Sequence, residues 1–236
     1  AFNTAKQVVG DSQYSLTSNA NYMSDWDGTL SSTEALLQLP AFSDDNNGFD
    51  SLGSIYIPGI PGGDDGNGGY GDLVPTTDLK NLYTATDVRR GWLRSIGGVE
   101  YNYKFPNSFT NYIPLIRLSE MYLIMAETAG KGGGSATEGQ NALNAIIQRA
   151  DPSAPASTST GSVLVDEALN ERRKELAFEG HRMYDLVRNN LGVMRTDVAS
   201  PSTTATLSYP DFRMVWPLPQ SEIDANTSIN QNNTGY

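Results

Sequence analysis

Aromatic side chains set beside clustered Asp and Asn residues are the groups in this chain best suited to holding a small molecule. Tyr56 and Tyr70 flank Asp64, Asp65 and Asn67 across the glycine-rich run PGIPGGDDGNGGYG at 58–71. Trp26 stands between Asp25 and Asp27, and Trp92 follows Arg89 and Arg90. An aromatic face packs against C–H groups, while carboxylates, amides and guanidinium groups bond to the hydroxyls at the edge of the same ligand. The combination therefore suits a neutral, polyhydroxylated molecule such as a sugar. Each of these aromatics would serve equally well as core or as a loop anchor, and sequence alone leaves that choice open. Trp216, between Val215 and Pro217, is expected to be a packed anchor rather than a ligand platform.

Asp64, Asp65 and Asn67 also suit a hard cation, because closely spaced carboxylates and amides are calcium ligands. The run lacks the regular alternation and closing Glu of an EF-hand loop, so a solvated loop is the expectation, with no metal or other cofactor. Catalysis finds less support. The chain has no cysteine, hence no thiol nucleophile, disulfide or thiolate metal site, and His181 is its one histidine, expected in a structural or capping role. Glu171, Glu175 and Glu179 recur at i, i+4 and i+8, which alone is repulsive. Arg172, Arg173, Lys174 and Arg182 are expected to offset them, and Arg182, Asp185 and Arg188 to extend the ladder. Glu120 and Glu127 lie about 10 Å apart along a helix. That is too far for a retaining glycosidase pair and marginal for an inverting one. Arg117, three residues before Glu120, offers it a partner. Asp25 with Asp27, or Asp64 with Asp65, could supply paired carboxylates, but nothing marks an acid of raised pKa.

The elements that must position these groups fall into two regimes, residues 1–112 and 113–236. The first is loop-rich and carries the candidate ligand residues. It opens on a helical pattern at 1–9, stopped by Gly10, which reads as the end of a helix already under way and so as the trailing part of a longer chain. Residues 34–39 (EALLQL) form either a buried strand or a helical turn, residues 54–57 a short apolar piece, and residues 78–83 a short helix. Residues 43–48 and 58–71 are loop on composition. The second regime is helical. Pro114 suits a first helical position, and Leu115, Leu118, Tyr122, Met125 and Ala129 follow at helical spacing. Ser135 and Glu138 form a capping box for a second helix carrying Ala142, Leu143, Ile146 and Ala150. The short connection predicts an antiparallel hairpin of about tetratricopeptide length. After a flexible stretch at 151–161, Val165, Leu169, Leu176, Met183 and Leu186 predict a third helix. Residues 212–216 alternate as a strand, and the polar residues 226–236 wrap the surface.

Bulk properties narrow the partners. The net charge of −11 over 236 residues repels nucleic-acid phosphates and anionic lipid, so neither is an expected ligand. No run of about 18 apolar residues is present to span a bilayer as a helix.

Four segments, in order, resemble the SusD/RagB family of outer-membrane nutrient-binding lipoproteins. They are PLIRLSEMYLIMAE at 114–127, ALNAIIQRA at 142–150, ERRKELAFEGHRMYDLVR at 171–188, and WPLP at 216–219 with Glu222, Asn226 and the ending QNNTGY. Gly69, Tyr70 and Gly71, then Pro75 and Thr76, then Asp87, Val88 and Arg89 resemble the family's preceding segment more loosely. The resemblance implies a mainly α fold of tetratricopeptide-like helix pairs with an irregular, loop-rich subdomain and few short strands. It further implies the C-terminal portion of a larger protein held at the outer membrane of a Gram-negative cell by a lipid anchor that lies outside this chain. The implied role is non-catalytic binding of oligosaccharide or polysaccharide at the cell surface for a TonB-dependent, SusC-like transporter. A glycoside hydrolase with paired carboxylates, a helical-repeat scaffold for protein, and a peptide-binding nutrient receptor remain the alternatives.

Overall fold

The computed structural model describes all residues except 29–31, 46–47, 60–68, 107, 109, 196 and 199–204. It contains the helices α1 (Phe2–Val9), α2 (Leu52–Tyr56), α3 (Thr77–Lys80), α4 (Leu118–Gly130), α5 (Ala136–Ala150), α6 (Gly161–Glu175), α7 (Arg182–Arg188) and α8 (Gln220–Ala225). Strands are short: β1 (Ala35–Leu39), β2 (Leu93–Ile96), β3 (Val99–Asn102), β4 (Ile113–Arg117), β5 (Val193–Met194) and β6 (Thr206–Leu207), which pair antiparallel as β1–β4, β2–β3 and β5–β6. The fold is mainly helical, as the sequence pattern and the resemblance imply. The chain divides into compact units Ala1–Glu179 and Gly180–Tyr236, so the change of composition at residue 112 falls inside the first.

The helical core of the first unit forms because α1, α4, α5 and α6 each place small and branched residues on one stripe. Phe2 and Ala5 pack with Leu123, Ala126, Ala129, Ala142, Leu143, Ile146, Leu164 and Ala168, all of them buried. Close approach depends on Gly139, where a Cβ would collide with the methyl group of Ala129. Ser135 caps α5 as expected, its Oγ accepting the Glu138 N–H at 3.3 Å. The Glu138 carboxylate pairs with Lys6 of α1 at 2.5 Å rather than serving the return leg of a capping box.

Several local expectations give way to tertiary contacts. Residues 113–117 do not start a helix at Pro114. They pair with β1, Pro114 opposite Gln38 and Ile113 opposite Leu39, and α4 begins at Leu118, whose N–H donates to Glu34 O at 2.8 Å. A proline disfavours helix at the residue before it, and the partner strand supplies the extended alternative. That pairing also makes 35–39 a strand, but one whose Leu37 and Leu39 are exposed rather than buried. The third helical pattern breaks in two: α6 stops at Glu175, Phe178 and Gly180 take left-handed φ of 68° and 85°, and α7 restarts at Arg182. Residues 151–161 are tied down by amides of α5. Asn144 grips both backbone groups of Ser157 at 2.7 and 2.9 Å, and Gln140 donates to Ser159 O at 2.9 Å. Residues 212–214 form a 3₁₀ turn capped by Asp211, not a strand.

The second half of the interior is charged. Glu175 is fully buried, and its carboxylate accepts from Tyr22 Oη at 2.9 Å and meets Arg89 at 3.1 Å, Arg117 at 2.9 Å and Arg149 at 2.7 Å. Arg117 also bonds Glu34 at 2.6 Å and Glu179 at 2.8 Å, while Arg149 bonds Glu34 at 2.8 Å. Arg89 forms a fork with Asp87 at 2.7–2.9 Å and reaches Glu171 at 2.7 Å. Lys104 donates to Glu179 at 2.5 Å and to the carbonyls of Glu175 and Ala177 at 2.9 and 3.1 Å. The expected ladder of local partners holds only in part: Lys174 pairs with Glu171 at 2.5 Å and Arg188 with Asp185 at 2.7 Å. Otherwise the carboxylates of 171, 175 and 179 turn inward to cations from distant segments, while Arg172 pairs with Glu120 at 3.2 Å. Arg117 is accordingly not the partner of Glu120.

Burial by itself pushes the Glu175 carboxyl up, but Arg149, Arg117, Arg89 and Lys104 outweigh it and hold the group well below its ordinary value. Glu179 is lowered in the same way, burial being overcome by Arg117 and Lys104. A carboxylate held low stabilises the fold while ionised and loses that contribution on protonation. Stability should therefore be full above about pH 4.5, the ordinary value of both groups, and fall as the pH drops below it. Urea titrations between pH 7 and pH 3 will read this loss. At pH 7, Glu175→Gln should cost about 3–5 kcal/mol, since it strands buried cations without their counter-ion.

Candidate functional site

The candidate surface grows from α2 and the chain that returns beside it. Ser51 caps α2 by accepting the Ser54 N–H at 3.4 Å. Past the loop, Tyr70 N–H donates to Ser54 O at 2.6 Å, Asp72 N–H to Ile55 O at 3.0 Å, and Gly59 N–H to Gly69 O at 2.7 Å. Pro58 and Tyr70 form a bridge. Residues 69–72 are thereby strapped to α2, and Pro58 and Gly59 are held beside Gly69 and Tyr70. Gly69 is obligatory in this strap, because a Cβ would collide with the carbonyl oxygen of Ile57 and approach that of Ser54 to 2.8 Å. Gly71 takes a left-handed φ of 59° hard against Pro58.

This strap decides what Tyr70 presents. Its side chain is 56% exposed and stands 6.2 Å from the ring of Phe49, itself 51% exposed, at an interplanar angle of 58°. The two rings make an exposed aromatic corner. Tyr56 is placed differently. It is half-buried, stacked near-parallel on Phe105 at 6.2 Å and edge-on to Phe178 at 5.4 Å, and burial raises its phenol pKa. It backs the surface more than it forms it. Asp64, Asp65 and Asn67, with the calcium question attached to them, lie outside the described residues.

The two tryptophans expected as secondary platforms are interior. Trp92 is 1% exposed and Trp26 9%; they meet edge to face at 5.7 Å and sandwich the Lys104 ammonium, 4.1 and 4.3 Å from their ring centres. Cation–π attraction in so dry a place explains why this lysine is tolerated. Burial pulls its pKa down to about 8, with Glu179 opposing the shift. Neither indole can offer a face to a ligand while it closes over Lys104. Asp25 next door accepts hydroxyl hydrogen bonds from Thr17 and Ser32, both at 2.7 Å. It lines an open, hydroxyl-rich cleft with Asp27, Ser15, Ser18 and Thr33.

Sequence reasoning passes over the exposed Phe42, edge-on to Tyr112 at 6.1 Å, and takes Trp216 for a packed anchor. Trp216 is 84% exposed, so the packed-anchor expectation is wrong for its side chain. Only its backbone is anchored, through Asn233 Nδ2 donating to Trp216 O at 2.7 Å. His181 stands at the start of α7, its carbonyl accepting the Asp185 N–H at 3.0 Å. Among the described residues no group of three or more His, Cys, Asp or Glu side chains could hold a metal ion, and no helix is long and apolar enough to cross a membrane.

The profile of the SusD family matches residues 101–236. The chain belongs to the SusD family. The match takes in Lys104, Arg117, Arg149, Glu171, Glu175 and Glu179 of the charged interior as well as the C-terminal segment, while Tyr22, Glu34, Asp87 and Arg89 lie before it. Curated relatives of this SusD-family chain include SusD-like protein P2 of Formosa agariphila, 35% identical over 55% of this chain and 26% of that protein. Another is starch-binding protein SusD of Bacteroides thetaiotaomicron, 32% identical over 64% of this chain and 28% of that protein. Among solved structures, a SusD-superfamily protein of Bacteroides vulgatus superposes with a TM-score of 0.84 at 28% identity, covering 100% of this chain and 55% of that one. The SusD-family chain thus spans about half the length of that structure and about a quarter of its curated relatives.

The strap and the exposed ring separate cleanly by mutation. Gly69→Ala should lower stability by about 1–3 kcal/mol, because backbone oxygens leave no room for the methyl group. Tyr70→Ala should stay within about 0.5 kcal/mol of the parent, as expected for an exposed side chain. Thermal and urea melts followed by circular dichroism measure both.

Proposed function

We propose that this SusD-family chain binds oligosaccharide at the cell surface, without catalysis, and hands it to a TonB-dependent outer-membrane transporter. The observation that carries the reading is the Phe49–Tyr70 corner. It is an exposed aromatic pair, with Tyr70 held by a strapped turn and following closely in sequence on residues rich in Asp, Asn and Gly. Exposed aromatic faces suit the C–H faces of a sugar, and a sequence rich in amides and carboxylates suits its hydroxyls. A relative 32% identical is named a starch-binding protein, which supports a glucan among the ligands to try first. The net charge of −11 favours a neutral glycan over an anionic one.

The non-catalytic part is supported by where the carboxylates are spent. Glu120 faces Arg172, Glu127 faces Lys131 at 2.6 Å, and Glu171, Glu175 and Glu179 are committed to buried cations. Family membership supports the transporter as partner and the outer membrane as location.

Calorimetric titration with neutral hexasaccharides, maltohexaose first, tests the reading. Saturable binding is expected, with Tyr70→Ala and Phe49→Ala each weakening it about tenfold, the value of one lost aromatic contact. Affinity untouched by both changes would remove the corner from the site. Shortened oligosaccharides in the recovered solution would replace capture by hydrolysis.

A further inference from the structure

The C-terminal unit carries a second aromatic surface that the Phe49–Tyr70 corner does not account for. Trp216 (84% exposed), Tyr184 of α7 (71%) and Tyr236 (50%) line one open groove, with Met183, Met214 and Arg213. Large exposed aromatics gathered on one surface call for an explanation, since scattered single ones do not. Here the backbone beneath them is locked. Tyr236 Oη donates to Val215 O at 3.0 Å, and Asn233 Nδ2 donates to Trp216 O at 2.7 Å. Asn232 takes the Leu218 N–H at 2.7 Å and returns a bond to Leu218 O at 3.1 Å. Pro217 and Pro219 fix φ within the same segment. Tyr236 is further held edge-on to Phe212 at 5.2 Å. The indole is therefore displayed from a backbone that has already lost its freedom, the condition under which a ring face binds at least entropic cost.

From this geometry we infer that the Trp216–Tyr184–Tyr236 groove is a second oligosaccharide subsite, in which a sugar ring stacks on the Trp216 indole. The inference rests on the oligosaccharide reading above. Room for about 710 Å³ places the groove among small-ligand sites, roughly 300–1,000 Å³, rather than among the broad faces that protein partners need. Arg213 also lines the groove, and its guanidinium is oriented by a fork with Asp211 at 2.7–2.8 Å. Apolar rings and an oriented guanidinium donor in one groove match an uncharged pyranose, with its C–H faces and equatorial hydroxyls. They match an alkyl chain less well, since it would leave that guanidinium without a role.

Tryptophan fluorescence of the full chain tests this directly. The chain has three tryptophans, and Trp26 and Trp92 are buried, so quenching by acrylamide reports on Trp216; Trp216→Phe confirms the assignment. Maltohexaose and a panel of other neutral hexasaccharides should protect Trp216 from acrylamide and shift its emission to the blue. The effect should survive in Tyr70→Ala and weaken about tenfold in Tyr184→Ala, an exposed position whose loss leaves the fold intact. Calorimetric binding that Tyr70→Ala weakens, with no hexasaccharide protecting Trp216, overturns the second subsite and leaves the proposed function standing. Failure of every glycan in both measurements overturns both. Protection by decyl maltoside below its micelle concentration, but by no free oligosaccharide, also overturns the subsite and makes the groove an alkyl-chain site.

Discussion

A carboxylate taken fully out of water must be surrounded by cations, and in this protein that carboxylate is Glu175. Its partners come from four separate stretches of chain, through Tyr22, Arg89, Arg117 and Arg149. Glu34, Glu171 and Glu179 extend the same network to further segments. A buried ionic cluster of this kind is often no more stabilising than a well-packed apolar core, because desolvation offsets most of the attraction. It is far more demanding about arrangement. A leucine tolerates many neighbours, whereas each of these charges has a small set of positions in which it is neutralised. The helical core and the irregular segments are joined through that requirement.

The network also reaches toward the candidate surface. Lys104, anchored on Glu179 and on the carbonyls that end α6, is closed over by Trp26 and Trp92. The next residue, Phe105, packs edge-on against Trp26 and stacks on Tyr56, the last residue of α2. Beyond α2 lie Pro58 and the strap that carries Tyr70. The path from a buried carboxylate to an exposed tyrosine is thus continuous packing. It gives a loop-rich region of this composition a rigid base. Aromatic residues divide along that path: those nearest the charges are consumed as walls for a buried ammonium, and those farthest from them remain at the surface.

In the C-terminal unit a different device does the anchoring. Side-chain amides of Asn232 and Asn233 and the hydroxyl of Tyr236 satisfy backbone groups of residues 215–218 that no regular element pairs. Amide side chains can both donate and accept, which suits them to hold an irregular segment in place. The consequence is a fixed backbone with free side chains, the reverse of the buried network, where side chains are fixed and their backbone contexts vary.

Much of this was legible in the residues alone. The helical spacing of Leu118, Tyr122, Met125 and Ala129 and of Ala142, Leu143 and Ile146 marks α4 and α5, and Ser135 marks where α5 begins, because helical periodicity and capping are local properties. The absence of cysteine excludes thiol chemistry whatever the fold. The segments that carry the family resemblance include Arg117, Arg149, Glu171, Glu175 and Glu179 of the charged interior, although the spacing of the three glutamates suggested a ladder of local partners along one helix. What the residues could not decide is everything that depends on a distant partner. Residues 113–117 are a strand because residues 35–39 lie beside them. Glu171, Glu175 and Glu179 face inward because Arg89, Lys104, Arg117 and Arg149 arrive from elsewhere. Trp26 and Trp92 are walls although both sit beside charged residues in the sequence, while Trp216, between Val215 and Pro217, is displayed. Burial belongs to the assembled chain: an indole reads the same in either setting, and only packing determines which face, if any, is left for a ligand.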